Sequence, residues 1–264
     1  MGGSARELLP VGAGALALSR PPIELTPEIR LVASGDGGFS LSDPYDCHVY
    51  LVESQGEAAL IDTGIGRADV AAAVRATGAR LRYILLTHAH PDHAGGAAAL
   101  REAFPDARVL ASEEVAAWVA AGDEEAMSLE SGIRAEFYPE GYRFAACPGV
   151  ETIADGEAVR VGAVELRALA TPGHARGHHA FLTLGASVES CFCGDLVFHG
   201  GAISLEANWD CSLQDYRRSM ERLARERFEA LLPGHHGVSL ARGRRHVEAA
   251  ARQFARGFIP RSLV

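Results

Sequence analysis

The sequence predicts an α/β fold in which two β-sheets carry helices on their outer faces. Short apolar runs alternate with amphipathic stretches along the whole chain, the pattern of strands interspersed with helices. Hydrophobic residues make up 48% of the 264 residues and charged residues 22%, enough to close a large core and too apolar for disorder. No Pro- or Ser-rich linker and no internal repeat divides the chain, so residues 1–264 read as a single domain.

Taken in order, residues 8–19 are mildly apolar, are broken by Pro10 and are far too short to span a bilayer. They read as a first strand and its turn. Residues 29–34, 48–53, 58–62 and 83–87 are rich in Ile, Leu, Val, Ala and Tyr, as suits buried strands. Further extended candidates are 108–111, 158–161, 164–170, 180–184, 190–194 and 230–233. A helical period marks 68–77, 95–103, 113–121, 212–225 and 244–256. In 212–225 the spacing of Leu213, Tyr216, Met220 and Leu223 makes one apolar stripe, and Ser212 stands at the N-cap. Residues 122–142 have weak periodicity, several acids and two tyrosines. They read as an insertion or lid bordering a site rather than a domain boundary.

Composition removes several function classes. A formal net charge of −9 repels phosphates, which argues against nucleic acid or a membrane surface as partner. A small-molecule substrate is expected instead, and a homodimer only because dimers are common. All 25 basic residues are arginine, so a P-loop lysine, a Schiff-base lysine and a Ser-Lys nucleophile are excluded. There is no GxSxG elbow and no HExxH helix, and the weak glycine pattern at Gly12, Gly14 and Ala17 has no strand before it. Cys47, Cys147, Cys191, Cys193 and Cys211 form no CxxC pair and are too few for a disulfide framework. Reduced, mostly buried thiols of a cytoplasmic protein are expected. Cys191-Phe192-Cys193 reads as a buried strand with small side chains, or on a sharper reading as soft-metal ligands.

Chemistry concentrates in the eleven histidines. The run Thr87-His88-Ala89-His90-Pro91-Asp92-His93-Ala94-Gly95-Gly96 follows the apolar Tyr83-Ile84-Leu85-Leu86. Three imidazoles and a carboxylate at the end of a buried strand are costly to bury unpaired, and a bound metal offsets that cost. Pro91 restricts the turn, and Gly95-Gly96 lets the next helix approach closely. Three more turns each follow an apolar run: Thr171-Pro172-Gly173-His174 with Gly177-His178-His179, then Gly194-Asp195, then Pro233-Gly234-His235-His236-Gly237. Singly, His174, Asp195 or His235 would pass as a turn residue. Together they suit ligands converging from strand ends onto one rim.

The segments HAHPDHAGG, TPGHARGH, GD and PGHH, with Asp62-Thr63-Gly64 after Ala58-Ala59-Leu60-Ile61, resemble the metallo-β-lactamase-fold hydrolase superfamily over about residues 45–240. The resemblance implies an αββα sandwich of two mixed β-sheets flanked by helices, with a two-metal site along one edge. It implies that His88, His90 and His174 hold one ion, that Asp92, His93 and His235 hold the second, and that Asp195 bridges them. The ions would be zinc, two per chain and about 3.5 Å apart, with iron or manganese as alternatives. A hydroxide bridging them would attack the carbonyl of a thioester, ester or lactone, and Asp92 would relay a proton to the leaving group. Asp62 is expected either behind the ligands, holding a histidine in its tautomer, or capping its own turn. His178 is expected to serve catalysis beside the metals, as a positioning or substrate-contacting residue. His179 and His236 are expected to point away, and His48, His199 and His246 carry no assigned role. Phe137, Tyr138, Tyr142, Phe144 and Phe198 are candidates for an acyl pocket, with Trp209, beside Asp210, as its wall.

Within the superfamily the sequence resembles the glyoxalase II type in GDLVF and PGHH, which place Asp195, Phe198 and His235. Only Arg242, Arg244, Arg245 and one helix follow, where that type carries a glutathione-binding domain. It resembles acyl-homoserine lactonases in HAHPDHAGG, although Phe198 stands where those enzymes often place a tyrosine. β-Lactamases generally lack the bridging aspartate, nucleases carry a basic arm, and flavin-coupled oxygen reductases add a flavin domain. The expectation is a dinuclear zinc hydrolase with thioesterase or lactonase activity. The alternatives are a mononuclear iron enzyme of the persulfide dioxygenase type and a binding protein that keeps the fold without turnover.

Overall fold

The apolar runs pair into strands whose two faces are both covered, which is why they lack a polar side. The computed structural model describes residues 21–264 and the strand Glu7–Leu8. The remainder of the predicted 8–19 strand and turn, with Gly12, Gly14 and Ala17, lies outside the described residues. In chain order the strands begin with β1 (Glu7–Leu8), β2 (Ile23–Glu24), β3 (Ile29–Ala33), β4 (Val49–Ser54), β5 (Glu57–Ile61), β6 (Arg80–Leu85), β7 (Arg108–Ala111) and β8 (Glu151–Thr152). They continue with β9 (Ala158–Val161), β10 (Val164–Ala170), β11 (His179–Leu184), β12 (Ser190–Gly194), β13 (Ala230–Pro233) and β14 (Val238–Ser239). One sheet runs β2 to β8 in sequence order; the other runs β1-β14-β13-β12-β11-β10-β9. Both are mixed. The first turns parallel from β5 onward, and in the second β12 and β13 are the parallel pair.

The helices are α1 (Val70–Thr77), α2 (Pro91–Ala94), α3 (Ala97–Ala103), α4 (Glu113–Ala121), α5 (Leu129–Arg134), α6 (Leu213–Leu223) and α7 (Arg244–Ala255). Alternation along β4 shows how the layers form. Tyr50 and Val52 pack between the sheets with Phe181, Phe192 and Leu232. Val49 and Leu51 face outward onto Val74, Leu100 and Val115 of α1, α3 and α4. On the opposite outer face, Leu182, Cys191, Cys193 and Leu231 pack against Tyr216, Met220, Val247 and Phe254 of α6 and α7. The architecture is the expected αββα sandwich. Among the described residues no helix is long and apolar enough to cross a membrane.

Several local expectations are corrected. The helix expected over 95–103 is α3, which starts at Ala97, and the short α2 precedes it as a separate element. A Cβ on Gly96 would overlap the Thr63 carbonyl oxygen, so glycine is what lets the start of α3 lie against the turn after β5. Ser212 does cap α6, its hydroxyl accepting from Asp215 N at 3.3 Å. The buried stripe begins only at Tyr216, and Leu213 is exposed because it sits in the first turn. All five cysteines are free, and Cys211 is half-buried. Cys191 and Cys193 belong to the outer apolar layer and join no ligand cluster among the described residues, which removes the soft-metal reading.

Candidate metal centre

The metal-ligand candidates stand at strand ends along one edge of the sandwich. His88, His90, Asp92 and His93 follow β6, with the last two on α2. His174 follows β10, Asp195 follows β12 and His235 follows β13. The parallel register Gly194↔Pro233 brings Asp195 and His235 to neighbouring strand ends. Gly234 lies directly beneath them, where a Cβ would overlap Asp195 Oδ1.

The candidate ligand atoms fall into overlapping trios, each within 4.8 Å: His88, His90 and His174; His88, His93 and Asp195; Asp92, His93 and His235. His90 Nδ1 lies 3.0 Å from His174 Nε2, and His235 Nε2 lies 3.0 Å from Asp92 Oδ2. Asp195 stands between the groups, with Oδ1 3.5 Å from His93 Nε2 and Oδ2 3.5 Å from His235 Nε2 and 3.9 Å from His174 Nε2. His88 Nε2, His90 Nε2, His93 Nε2 and Asp195 Oδ1 are buried without a hydrogen-bond partner. Orphaned polar atoms at this density are rare in folded proteins, and they belong to residues of the ligand clusters. The fold and these clusters imply a metal site.

Behind the cluster a hydrogen-bond network selects the tautomers. His93 Nδ1–H donates to Asp62 Oδ2 at 2.8 Å, and the Thr87 hydroxyl donates to the same oxygen at 2.8 Å. Thr87 Oγ1 is then free to accept from His88 Nδ1 at 3.0 Å. His174 Nδ1–H donates to Ser204 O at 3.2 Å. His88, His93 and His174 each therefore turn an Nε2 lone pair toward the site. Asp62 does both things weighed for it, since Oδ1 also accepts from Thr87 N at 2.7 Å within the adjoining turn. Its φ of +60° is a conformation that aspartate and asparagine tolerate better than most residues.

The electrostatics suit cation binding. Burial, then the nearby imidazoles of His93, His90 and His174, push His88 well below its ordinary value. Burial and His174 lower His90 in the same way. Burial alone would push Asp92 up, but His93 and His235 outweigh it and hold the carboxyl at about 2. Burial would lower His93 and His235 as well, but the neighbouring acidic groups outweigh it and raise both imidazoles above their ordinary value. Imidazoles gathered with ionised carboxylates are a zinc-type donor set. Cys47, Asp62 and His93 form another close trio. Its Asp62 and His93 are already bonded to each other, and burial keeps the Cys47 thiol protonated.

A cavity of about 480 Å³ opens above the cluster, with His90, Asp92, Asp195 and His235 on its wall. Phe137, Tyr138 and Phe198 line it as expected. Tyr138 does more, donating its hydroxyl to Asp92 Oδ1 at 3.0 Å. Segment 122–142 therefore does border the site. Tyr142 instead bonds to Ile65 O, and Phe144 belongs to the outer core.

Trp209 is not the pocket wall. Its ring packs on Trp118 and Arg176, and its indole N–H donates to Ala126 O over a separate groove. Asp210 turns inward to accept from Arg176 N. His178 is fully buried behind His88, its ring 5.2 Å away, and stands behind a ligand candidate rather than on the cavity wall. His236 lines the cavity, contrary to expectation, in a turn with φ +64°. His48 supports that turn by donating from Nε2 to His236 O at 2.8 Å. His246 bonds to Gly200 N and Ser239 Oγ, away from the site.

Asp46, Ser204 and Glu206 also line the cavity and carried no local signal. Burial raises Asp46 to about 6, despite hydrogen bonds from Ser42 and Ile65 N. A raised carboxyl contributes stability that is complete below its unfolded value near 3.8 and is lost as pH rises through about 6. Asp46→Asn is therefore expected to destabilise the protein more at pH 4.5 than at pH 7.5. The difference should be about 2 kcal/mol, read from urea denaturation of both proteins at each pH. An equal loss at both pH values would contradict the assignment.

A sequence profile described as the metallo-beta-lactamase superfamily matches residues 42–235. The chain belongs to that superfamily. A metallo-beta-lactamase-fold relative of known structure, from Cronobacter sakazakii and carrying a HARLDQ motif, superposes with a TM-score of 0.63. It is 25% identical, with 90% of this chain and 87% of that one covered. A B3 metallo-beta-lactamase with an active-site glutamic acid gives a TM-score of 0.67 at 24% identity, covering 91% of each chain, and supports the fold alone. Among curated relatives, an atrochrysone carboxyl ACP thioesterase of Aspergillus fumigatus is 28% identical over 85% of this chain and 62% of its own. A hydroxyacylglutathione hydrolase of Rhodospirillum rubrum is 33% identical over 61% of this chain and 50% of its own. This member of the superfamily thus spans 50% to 62% of the length of these curated relatives.

Proposed function

We propose that this superfamily member is a dinuclear metal-dependent hydrolase of carbonyl esters, with thioesters as the favoured class. The observation that carries the reading is the set of candidate ligand residues gathered into two groups with Asp195 between them, with His88 Nε2, His93 Nε2 and Asp195 Oδ1 buried and unpartnered. Relatives named as thioesterase and hydroxyacylglutathione hydrolase support the choice of bond. His88, His90 and His174 would hold one ion, Asp92, His93 and His235 the other, and Asp195 both. Two zinc ions in these positions supply Lewis acidity and a coordinated water with a pKa near about 7.

The chain's own groups do the rest. Asp62 and Thr87 keep the ligand lone pairs aimed inward. Burial, then Asp92, keeps the Tyr138 phenol protonated, so it remains a donor that fixes the rotamer of Asp92. With Oδ1 held in that direction, the ionised Asp92 can take a proton from the attacking water and pass it to the leaving sulfur or oxygen. Phe137 and Phe198 give the cavity an apolar wall against which an acyl group can pack.

Elemental analysis joined to a hydrolysis screen tests the reading. About two zinc per chain with turnover of simple thioesters is the expected result. One iron per chain with oxygen uptake on a persulfide would overturn it, and metal binding with no turnover of any ester would favour a binding role. Tyr138→Phe is expected to keep the metal content and lower kcat about tenfold. An unchanged kcat would reduce Tyr138 to a wall residue.

A further inference from the structure

The cavity carries more negative charge than its ligand cluster accounts for. Asp92 and Asp195 belong to that cluster, but Asp36, Asp46, Glu136 and Glu206 on the same wall do not. Among the described residues no arginine lines this cavity. Arg67, over the ring of Tyr45, is paired with Asp43 at 3.3 Å, and Arg261 lines a different depression beside His199 and Gln253.

Glu206 lies nearest the cluster, with Oε1 3.9 Å from His174 Nδ1. Its carboxylate is held in place by donors on either side, the Ser204 hydroxyl at 3.0 Å and the Asn208 amide at 2.7 Å. Glu136 is exposed on the lining segment next to Phe137. Aromatic rings of Tyr45, Phe137, Tyr138 and Phe198 share the wall with these acids. The acids share their wall with the ligand cluster, including Asp195, whose Oδ1 is buried without a partner, so they border a built site and not a solvated patch. Bound metal would place its positive charge at the floor among Asp92 and Asp195. The wall acids lie where the remainder of a substrate must pass.

We propose that the site selects acyl substrates bearing an ammonium group and rejects those bearing a carboxylate. Carboxylates combined with aromatic faces are the chemistry that holds an ammonium, and a low-dielectric cleft of one sign concentrates the opposite charge. A substrate carboxylate would lose its water among like charges, with no guanidinium on the wall to replace that water. The inference rests on the hydrolase reading for its reaction, while the charge preference stands on the wall alone.

The test uses three matched thioacetates, made from a trimethylammonioethyl thiol, its neutral 3,3-dimethylbutyl isostere and 3-mercaptopropionate. The corresponding ketones, with methylene in place of sulfur, serve as inert ligands titrated calorimetrically into the metal-loaded protein. The ammonium ketone is expected to bind about tenfold tighter than the neutral one, and the carboxylate ketone weakest, with the differences shrinking in about 0.5 M salt. The kcat/KM values should follow the same order. Glu136→Gln combined with Glu206→Gln should bring the ammonium and neutral ligands within about twofold. Glu165→Gln, on β10 and off the cavity wall, should leave the preference intact. A carboxylate ketone that binds as tightly as the ammonium one, or a preference that survives the double substitution, would overturn the inference. Ammonium-selective binding with no turnover of any thioacetate would support the inference and sink the hydrolase reading instead.

Discussion

Replacing Asp195 by asparagine is expected to leave the protein folded, reduce bound metal to about one ion per chain and cut turnover about a thousandfold. The side chain is placed for two partners at once, its Oδ1 toward His93 and its Oδ2 toward His235 and His174. Asparagine keeps the shape but offers one acceptor oxygen and no charge. The amide nitrogen would have to face one of the two ligand groups, which cannot then share an ion through this residue. A thousandfold corresponds to about 4 kcal/mol of transition-state stabilisation, the scale expected when one of two Lewis acids is lost. Metal analysis beside kcat decides the matter: two retained ions with near-normal turnover would remove Asp195 from the bridge.

Asp62→Asn acts from behind the ligands and is expected to weaken metal affinity between tenfold and a hundredfold, roughly the range for outer partners of ligating histidines. Asp62 takes hydrogen bonds from His93 Nδ1, the Thr87 hydroxyl and Thr87 N. Through Thr87 it also governs His88. Asparagine tolerates the left-handed backbone here, so the change tests the network without adding backbone strain. It turns one acceptor oxygen into a donor, and His93 or Thr87 must then lose its partner. Competition with a chromophoric chelator reads the affinity directly. An unchanged affinity would leave Asp62 with its turn-capping role alone.

The parts of this molecule legible from sequence are those where local pattern and burial coincide. β4, β5 and the end of β6 are covered on both faces, so they appear as continuous apolar runs. Four of the ligand candidates fall within the six residues from His88 to His93, and the remaining three each end an apolar run. What stayed hidden depends on distant partners. β8 has both residues exposed, so no alternation marks it. α5 buries only Leu129 and Gly132, too little to write a helical stripe. Tyr138 meets Asp92 across 46 positions, and nothing near Tyr138 announces that contact. Trp209 misleads for the same reason, because its placement depends on Trp118 and Arg176 rather than on its neighbours in sequence. Glu206 lies in a stretch without period, and only the folded cavity wall shows where its charge points.

The candidate ligands are divided between the sheets: His88 to His93 leave β6 in one, while His174, Asp195 and His235 leave β10, β12 and β13 in the other. An ion held by both groups acts as a rivet through two layers. Its binding energy adds to folding only while both layers are closed, so opening either sheet edge frees it. Amide exchange in β6 and in β13 should slow together on loading and quicken together under a chelator. In such a protein, metal retention and resistance to proteolysis are one property measured in two ways.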